Sequence, residues 1–328
     1  MVAAAPHFTV VVCTRERPGD LRRCLHSLAG QRYPAFSVLV VDNAPRSDAT
    51  RRVVEHSTWP MEVTYTVEPR AGLSVARNHA LRLLDGGLVA WLDDDEMADA
   101  HWLAELARGF HRHPVAAAVS GAVVPAELES RAQVWFEQFG GHSKGRGFTA
   151  AVFSPATADR QSPLYPLPPF GVGANMAFRV AALHAVGGFD EALGAGTPAK
   201  GGEDTAVFTR LLRSGATTVY QPSAVTRHVH RRDVAGLRAQ MHGYGAGLTA
   251  FYIALVFDDP RVVWSLLRLL PRAWRDLTRS DSPRAATIGD DFPPELLRAN
   301  LRGMLSGPWR YLRGRMAARR HTRAGGGA

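Results

Sequence analysis

Residues 88–96, Leu-Val-Ala-Trp-Leu-Asp-Asp-Asp-Glu, join an apolar run to four consecutive acids. Side chains alternate between the faces of a strand. A strand buried on both faces can therefore present such charge only where it leaves the sheet. The run predicts a buried strand whose C-terminal end lies at a sheet edge, where Asp93 and Asp95 can converge. Neighbouring carboxylates repel one another and lose solvation, and a divalent cation relieves both costs. Mg²⁺ and Mn²⁺ prefer oxygen ligands and keep positions open for substrate phosphates. A solvated acidic turn ahead of a helix over 98–110 accounts for the same residues, with the acids favouring the helix N-terminus.

The rest of the chain supplies more strand ends of this kind. Residues 7–13 read as a fully buried first strand, broken by Thr14-Arg15-Glu16-Arg17-Pro18-Gly19-Asp20. Leu21, Leu25 and Leu28 follow at helical spacing, and residues 37–41 form a second buried strand ending at Asp42-Asn43. Strand, helix and strand make a right-handed βαβ unit, whose ligands bind beyond the carboxyl ends of the strands. Thr14, Arg15, Glu16 and Asp42 all fall there, although Asp42 also suits an ordinary strand-end turn. No Gly-x-Gly-x-x-Gly follows the first strand and no Gly-Lys-Ser/Thr loop occurs, which argues against dinucleotide and P-loop folds.

A third strand is expected over 61–67, then a helix capped by Ser74, with Arg77 in its first turns. Arg77 either faces solvent or points back to the strand ends, where an anion would sit. Another strand covers 116–124. Residues 133–162 read as mobile loops and short helices near an acceptor, and 163–169 as extended and proline-rich. Gly171-Val172-Gly173-Ala174-Asn175 precedes a short strand, where glycine permits close backbone approach to a ligand. The glycine-rich segment 194–202, which contains Lys200 and ends at Gly202, leads into Glu203-Asp204 at a helix start. An N-cap explains the acids alone, whereas a loop closing over substrate also explains the glycines. A last strand is expected at 217–220. His228 and His230 then point to one face, and neutral imidazole is a good ligand for a divalent metal.

Together these segments resemble the inverting family 2 glycosyltransferases. The resemblance rests on Val10-Val11-Val12-Cys13-Thr14-Arg15-Glu16-Arg17, Val40-Val41-Asp42-Asn43, Gly72-Leu73-Ser74-Val75-Ala76-Arg77-Asn78 and Leu92-Asp93-Asp94-Asp95-Glu96. It continues with Gly173-Ala174-Asn175-Met176-Ala177-Phe178-Arg179, Gly188-Phe189-Asp190-Glu191, Gly202-Glu203-Asp204 and His228, in the family's order across about residues 8–230. It implies a GT-A fold: an α/β protein with a Rossmann-like mixed central sheet flanked by helices. It also implies a metal-dependent inverting glycosyltransferase using a nucleoside-diphosphate sugar, with UDP donors the default and Mn²⁺ or Mg²⁺ as cofactor. Asp42 would contact base or ribose, with Thr14, Arg15 and Glu16 lining that pocket and Arg77 near base and diphosphate. Asp95 would be the direct metal ligand, Asp93 a ribose or water-mediated contact, and Asp94 structural or sugar-facing. Asp204, beside Glu203, would be the base, and His228 would complete the metal site, with His230 as its substitute one strand pair away. Asn175, Lys200 and Gly202 would belong to a donor or acceptor loop.

Charge separates the C-terminal part. Residues 261–328 hold 14 arginines and five acids, so the whole net charge of +9 lies there. The expected division is a catalytic domain over 1–230 and a helical, arginine-rich extension over 231–328 whose last residues are disordered. Glycines at 243, 245 and 247 interrupt a helix-compatible run over 238–257, and amphipathic segments follow at 262–274 and 308–320. Arginine with tryptophan suits an anionic membrane surface, and helices packed on the body suit the same pattern. Nucleic acid is not expected as a partner, since no nucleic-acid module accompanies the charge. No charge-free run of transmembrane length and no signal peptide are expected. Cys13 and Cys24 read as reduced core residues, so the protein is expected in the cytoplasm, with peripheral contact to the inner membrane face as the membrane alternative. A sugar nucleotidyltransferase and a catalytically silent carbohydrate-binding relative are the rival functions. The acceptor is expected to be a glycan, a lipid-linked saccharide or a small molecule, in cell-envelope or natural-product synthesis.

Overall fold

The alternation of β1 (Phe8–Thr14) already divides the core. Phe8, Val10 and Val12 join the cluster on one face with Leu21, Leu25, Val40, Trp102 and Leu106. Val11 points the other way, into a cluster with Val41, Ala76, Trp91, Phe178 and Phe208. The structure is a computed structural model that describes residues 5–158, 170–278 and 287–325. The proline-rich segment 163–169 and the final residues 326–328 lie outside the described residues.

After β1 come α1 (Pro18–Ala29), β2 (Phe36–Asn43), α2 (Ala49–Glu55), β3 (Glu62–Glu68), α3 (Leu73–Arg82) and β4 (Leu88–Asp93). Strands β1, β2, β3 and β4 pair in parallel, so Thr14, Asp42 and Asp93 finish on one edge. The chain then makes β5 (Glu96–Ala98), α4 (Trp102–Arg112), β6 (Ala116–Pro125), α5 (Arg131–Gln138), β7 (Ala151–Phe153) and α6 (Pro155–Ala158). Next follow β8 (Asn175–Arg179), α7 (Val180–Ala185), α8 (Glu203–Arg213) and β9 (Thr217–His228). The nine-stranded sheet runs β3-β2-β1-β4-β8-β6-β9-β5, with β7 on β9. β8 is antiparallel to β4 and β6, which makes the sheet mixed, as a GT-A fold requires.

Three local expectations change. The acids do not head a helix: Asp94 and Asp95 form the turn between β4 and β5, and α4 starts later, at Trp102. Ser74 is not a cap; Gly72 precedes the helix, and the Ser74 hydroxyl donates to Leu193 O at 2.8 Å. β9 does not stop at 220 but continues to His228.

The C-terminal part is α9 (Val234–Asp258), α10 (Val262–Thr278) and α11 (Pro294–Gly325). The glycines do not interrupt α9, which is continuous. Gly245 lets α11 approach it: a side-chain carbon there would overlap Asn300 O, and one at Gly303 of α11 would overlap His242 O. Asn300 also donates to Met241 O at 2.9 Å. Outward faces of the tail expose Trp264, Leu267, Leu305 and Trp309. Among the described residues no helix is long and apolar enough to cross a membrane.

Candidate active site

A cleft of about 530 Å³ opens at the edge where β1 and β4 end, and β9, α8 and α9 complete its walls. The turn after β4 sends its acids in different directions. Thr14 donates to Asp94 Oδ2 at 2.7 Å, and Arg17 donates to Asp94 Oδ1 at 3.1 Å and to Asp95 Oδ2 at 3.0 Å. Burial and the neighbouring Asp95 push Asp94 up to about 7, against Arg17 and Thr14. Asp94 is thus a buried anchor of the turn. Glu96 points into the protein, where burial raises its carboxyl well above the ordinary range. That leaves Asp93 and Asp95 as the acids that line the cleft with an exposed edge.

Asp93 accepts a hydrogen bond from Arg77 at 3.1 Å. Arg77 is buried against the Trp91 and Phe189 rings and also donates to Glu203 Oε1 and to Gly173 O, each at 3.1 Å. It is therefore buried rather than solvent-facing, although it lines the cleft. It ties the β4 end, the β8 lead-in and α8 together. Burial and the charge of Asp204 push Glu203 up to about 7, against Arg77.

Asp204 stands in the first turn of α8, behind left-handed Gly202. Its Oδ2 accepts the Gly173 N–H at 2.7 Å, and its Oδ1 accepts the Thr205 N–H at 2.7 Å. These backbone donors fix the carboxylate at the cleft wall. A side chain at Gly173 would come within 3.2 Å of the Asp204 Cβ, so glycine allows this approach.

The third wall is rich in histidine. His228 Nε2 lies 3.6 Å from Asp95 Oδ1. Its Nδ1 is 2.7 Å from Nδ1 of His230, whose Nε2 is 2.8 Å from Glu137 Oε1. The His142 ring packs 4.3 Å from the His228 ring. Burial pushes His228 down to about 4, against Asp95, and lowers His142 well below the usual imidazole range. Both are neutral at pH 7 and can offer a lone pair. The three histidines can each present a ligand atom within 4.8 Å of one another.

Other expected residues are placed differently. Thr14 and Arg15 line the cleft, but Glu16 turns to the loop behind it and accepts the Arg46 N–H at 2.8 Å. Asp42 is buried at the β2 end and accepts the Tyr65 hydroxyl at 2.9 Å, so neither acid reaches the cleft surface. Asn175 is a core staple: it accepts from Trp102 Nε1 at 2.9 Å and donates to Ala122 O and Ala224 O at 2.9 and 2.8 Å. Lys200 and Gly202 do line the cleft. Their loop is anchored, with Leu73 donating to Ala195 O at 2.9 Å and Arg310 to Pro198 O at 3.0 Å. Cys24 is buried as expected, whereas Cys13 lines the cleft, and burial pushes its thiol up to about 12.

Sequence reasoning missed Arg17, His142, Lys144 and Tyr244, all of which line the cleft. Lys144 Nζ sits 4.3 Å over the Tyr244 ring, and burial together with Arg146 pushes it down to about 8. The charged Arg15-Glu16-Arg17 at the end of β1 is a usable signal for Arg17. Nothing in the aperiodic stretch around His142 marks it as a partner of β9.

Comparison with known proteins identifies the family and the fold. Residues 9–187 match the family described as Glycosyl transferase family 2. The succinoglycan biosynthesis protein ExoM of Rhizobium meliloti is 32% identical over 224 residues, covering 66% of this chain and 65% of ExoM. A pre-mycofactocin glycosyltransferase of Mycobacterium tuberculosis is 28% identical over 72% of this chain, which spans only 46% of that relative. Among solved structures, the mannosyltransferase PcManGT from Pyrobaculum calidifontis, in complex with GDP-Man and Mn²⁺, aligns over 99% of this chain and 77% of its own, at TM-score 0.56 and 22% identity. S. aureus TarS 1-349 with UDP aligns over 94% of this chain and 92% of its own, at TM-score 0.51 and 17% identity. The last two show the fold. The chain spans less than two thirds of the length of ExoM and of the pre-mycofactocin enzyme, and with more than half of its own length matched by the family pattern it belongs to glycosyl transferase family 2 and has the GT-A fold.

Proposed function

We propose that the protein moves a sugar from a nucleoside-diphosphate donor, by default a UDP-sugar, to a hydroxyl acceptor in one displacement that inverts the anomeric centre. The observation that carries this is the facing of Asp95 Oδ1 and His228 Nε2 at 3.6 Å in a cleft that Asp204 also lines. One carboxylate oxygen and one neutral imidazole nitrogen fit Mn²⁺ or Mg²⁺, so Asp95 and His228 are the residues that would hold it, with Asp93 beside them. When bound, that ion supplies electrostatic stabilisation for the charge that collects on the leaving diphosphate.

The protein's own groups do the rest. Asp204 takes the proton of the acceptor hydroxyl as the acceptor oxygen bonds to the anomeric carbon. The bond from that carbon to the diphosphate oxygen breaks, and its electron pair leaves with the nucleoside diphosphate. Glu203 is unsuited to this task because Arg77 holds it. Thr14 and Arg15 face the nucleoside, while Asp42 and Glu16 shape the wall behind it. Lys144, Lys200, Gln240 and Tyr244, which all line the cleft, form the acceptor side. Cell-envelope glycan or glycosylated natural-product synthesis is the setting suggested by ExoM and the pre-mycofactocin enzyme. Membership of family 2 leaves no observation in favour of a nucleotidyltransferase.

The test is nucleotide release from a panel of UDP-, GDP- and dTDP-sugars, with and without Mn²⁺. Turnover of at least one donor that requires the metal is expected. Full turnover in excess chelator, or none with any donor, would overturn the proposal.

A further inference from the structure

The histidine wall holds more than one metal ligand needs. His228 Nδ1 and His230 Nδ1 are 2.7 Å apart, within hydrogen-bond range. Two bare lone pairs at that separation repel, so one of these nitrogens carries a proton. Nor do both suit one cation. With metal–nitrogen bonds of about 2.0–2.1 Å, two ligating nitrogens sit roughly 3 Å or more apart.

Glu137 decides which nitrogen is protonated. Its Oε1 lies 2.8 Å from His230 Nε2, and a carboxylate accepts, so that nitrogen donates. With His230 neutral, its one N–H is on Nε2 and a lone pair remains on Nδ1. The proton shared with His228 then belongs to His228 Nδ1, and the lone pair of His228 falls on Nε2, which faces Asp95 Oδ1 at 3.6 Å. We propose that Glu137 and His230 are positioning residues that fix the tautomer and ring orientation of His228, so that Nε2 is presented as the metal ligand. This rests on the metal site proposed above.

The surroundings hold the chain of groups in place. The capping box of Ser130 and Gln133 fixes the start of α5, and Glu137 stands near its end. A side-chain carbon at Gly141 would overlap the Glu137 carboxylate, so glycine leaves room for Glu137 to turn inward. Phe136 meets the His230 ring edge-on at 4.7 Å, and Gln133 donates to His230 O at 3.4 Å. His230 itself is only 3% exposed. Partners of this kind raise ligand basicity and fix orientation, and losing one typically costs about 10–100-fold in metal affinity.

The first measurement is side-chain ¹⁵N NMR of histidine in the metal-free protein. His228 should carry its proton on Nδ1. It should lose that preference in His230→Phe, which keeps a ring but no acceptor, and retain it in His230→Asn, whose amide oxygen replaces Nδ1. The second is Mn²⁺ titration read by the EPR signal of the free ion. His230→Phe and Glu137→Leu should weaken binding roughly 10–100-fold, and His230→Asn should stay within about threefold of wild type. Pulsed EPR should find one histidine nitrogen on the bound ion.

A wild-type His228 protonated on Nε2, equal Mn²⁺ affinity in wild type and His230→Phe, or several histidine nitrogens on the ion would each overturn the proposal. Wild type that binds no Mn²⁺ at all would sink the metal site instead. The tautomer, measured without metal, would still decide the role of Glu137 and His230. If His230→Phe fails to fold, wild type, His230→Asn and Glu137→Leu carry the same decision.

Discussion

Arg77 Nη1 donates to Glu203 Oε1 at 3.1 Å across 126 residues of chain. The same guanidinium holds Asp93, so one buried cation sets the distance between the two acidic segments of the cleft. Arg77→Met would strand the Glu203 carboxylate, which is only 9% exposed, without its partner. Loss of one side of a buried pair costs about 3–5 kcal/mol, and the Asp93 half counts for less because that side chain is one-third exposed. Thermal unfolding should drop on the order of 10 °C. A shift of a degree or two would show that the clamp carries little of the fold.

Asp204 and Glu203 are adjacent, yet only Asp204 is free of Arg77. Asp204→Asn should lower kcat by about 10²–10⁴-fold with little change in donor KM. Glu203→Gln keeps an oxygen for Arg77 and should stay within about tenfold of wild type. Steady-state kinetics with the best acceptor decide it, and the reverse ranking would move the base to Glu203.

Burial pushes Asp94 and Glu203 each up to about 7 in the folded chain, above ordinary values of 3.8 and 4.5. The folded state then holds more protons than the unfolded one between those limits. Their contribution is full below the ordinary carboxyl range and is lost as pH rises through about 7. Glu203→Gln removes one of the two. Its stability relative to wild type should therefore climb as pH rises from about 5 to 8, at up to about 1.4 kcal/mol per pH unit. His228, pushed down to about 4, acts in the opposite sense in both proteins and cancels in the difference. Chemical denaturation of the pair across this range provides the check; a constant difference would contradict the burial of Glu203.

Gly245 lies where α9 and α11 nearly touch. Gly245→Val must push α11 outward, and overpacking of this kind costs about 1–3 kcal/mol or more. Because α9 also lines the cleft through Tyr244 and Gly247, donor or acceptor KM should rise together with the loss of stability. Unfolding curves and kinetics on the same preparation would show whether the two effects separate.

The strands that frame the cleft could be read from sequence because buried parallel strands are continuous apolar runs. Val10–Val12 and Val38–Val41 show no polar break, and the acids that begin at Asp93 mark the end of β4. β9 was harder. Gln221, Pro222 and Ser223 break its apolar pattern, and the strand continues because its register with β6 shifts there, where proline is tolerated. Glycines in α9 read as breaks since glycine weakens a lone helix, and only tertiary packing, of α11 on Gly245 and of the 194–202 loop on Gly247, gives them another purpose. Asp42 and Asn175 have the residue types of a binding site, but Tyr65 and Trp102 engage them in the core, and such pairings leave no trace in local sequence. His142 is joined to His228 by tertiary folding alone.

The anchored loop at 194–202 has a consequence for engineering. Gly202 lies against Gly247 of α9, where an added side-chain carbon would come within 2.6 Å of the Gly247 carbonyl oxygen. The segment that delivers Asp204 is thus moulded on the C-terminal helices. Exchanging those helices for a relative's would be a graft onto the catalytic wall, and a chimera spliced at residue 230 would inherit a misfitted pocket along with its new tail.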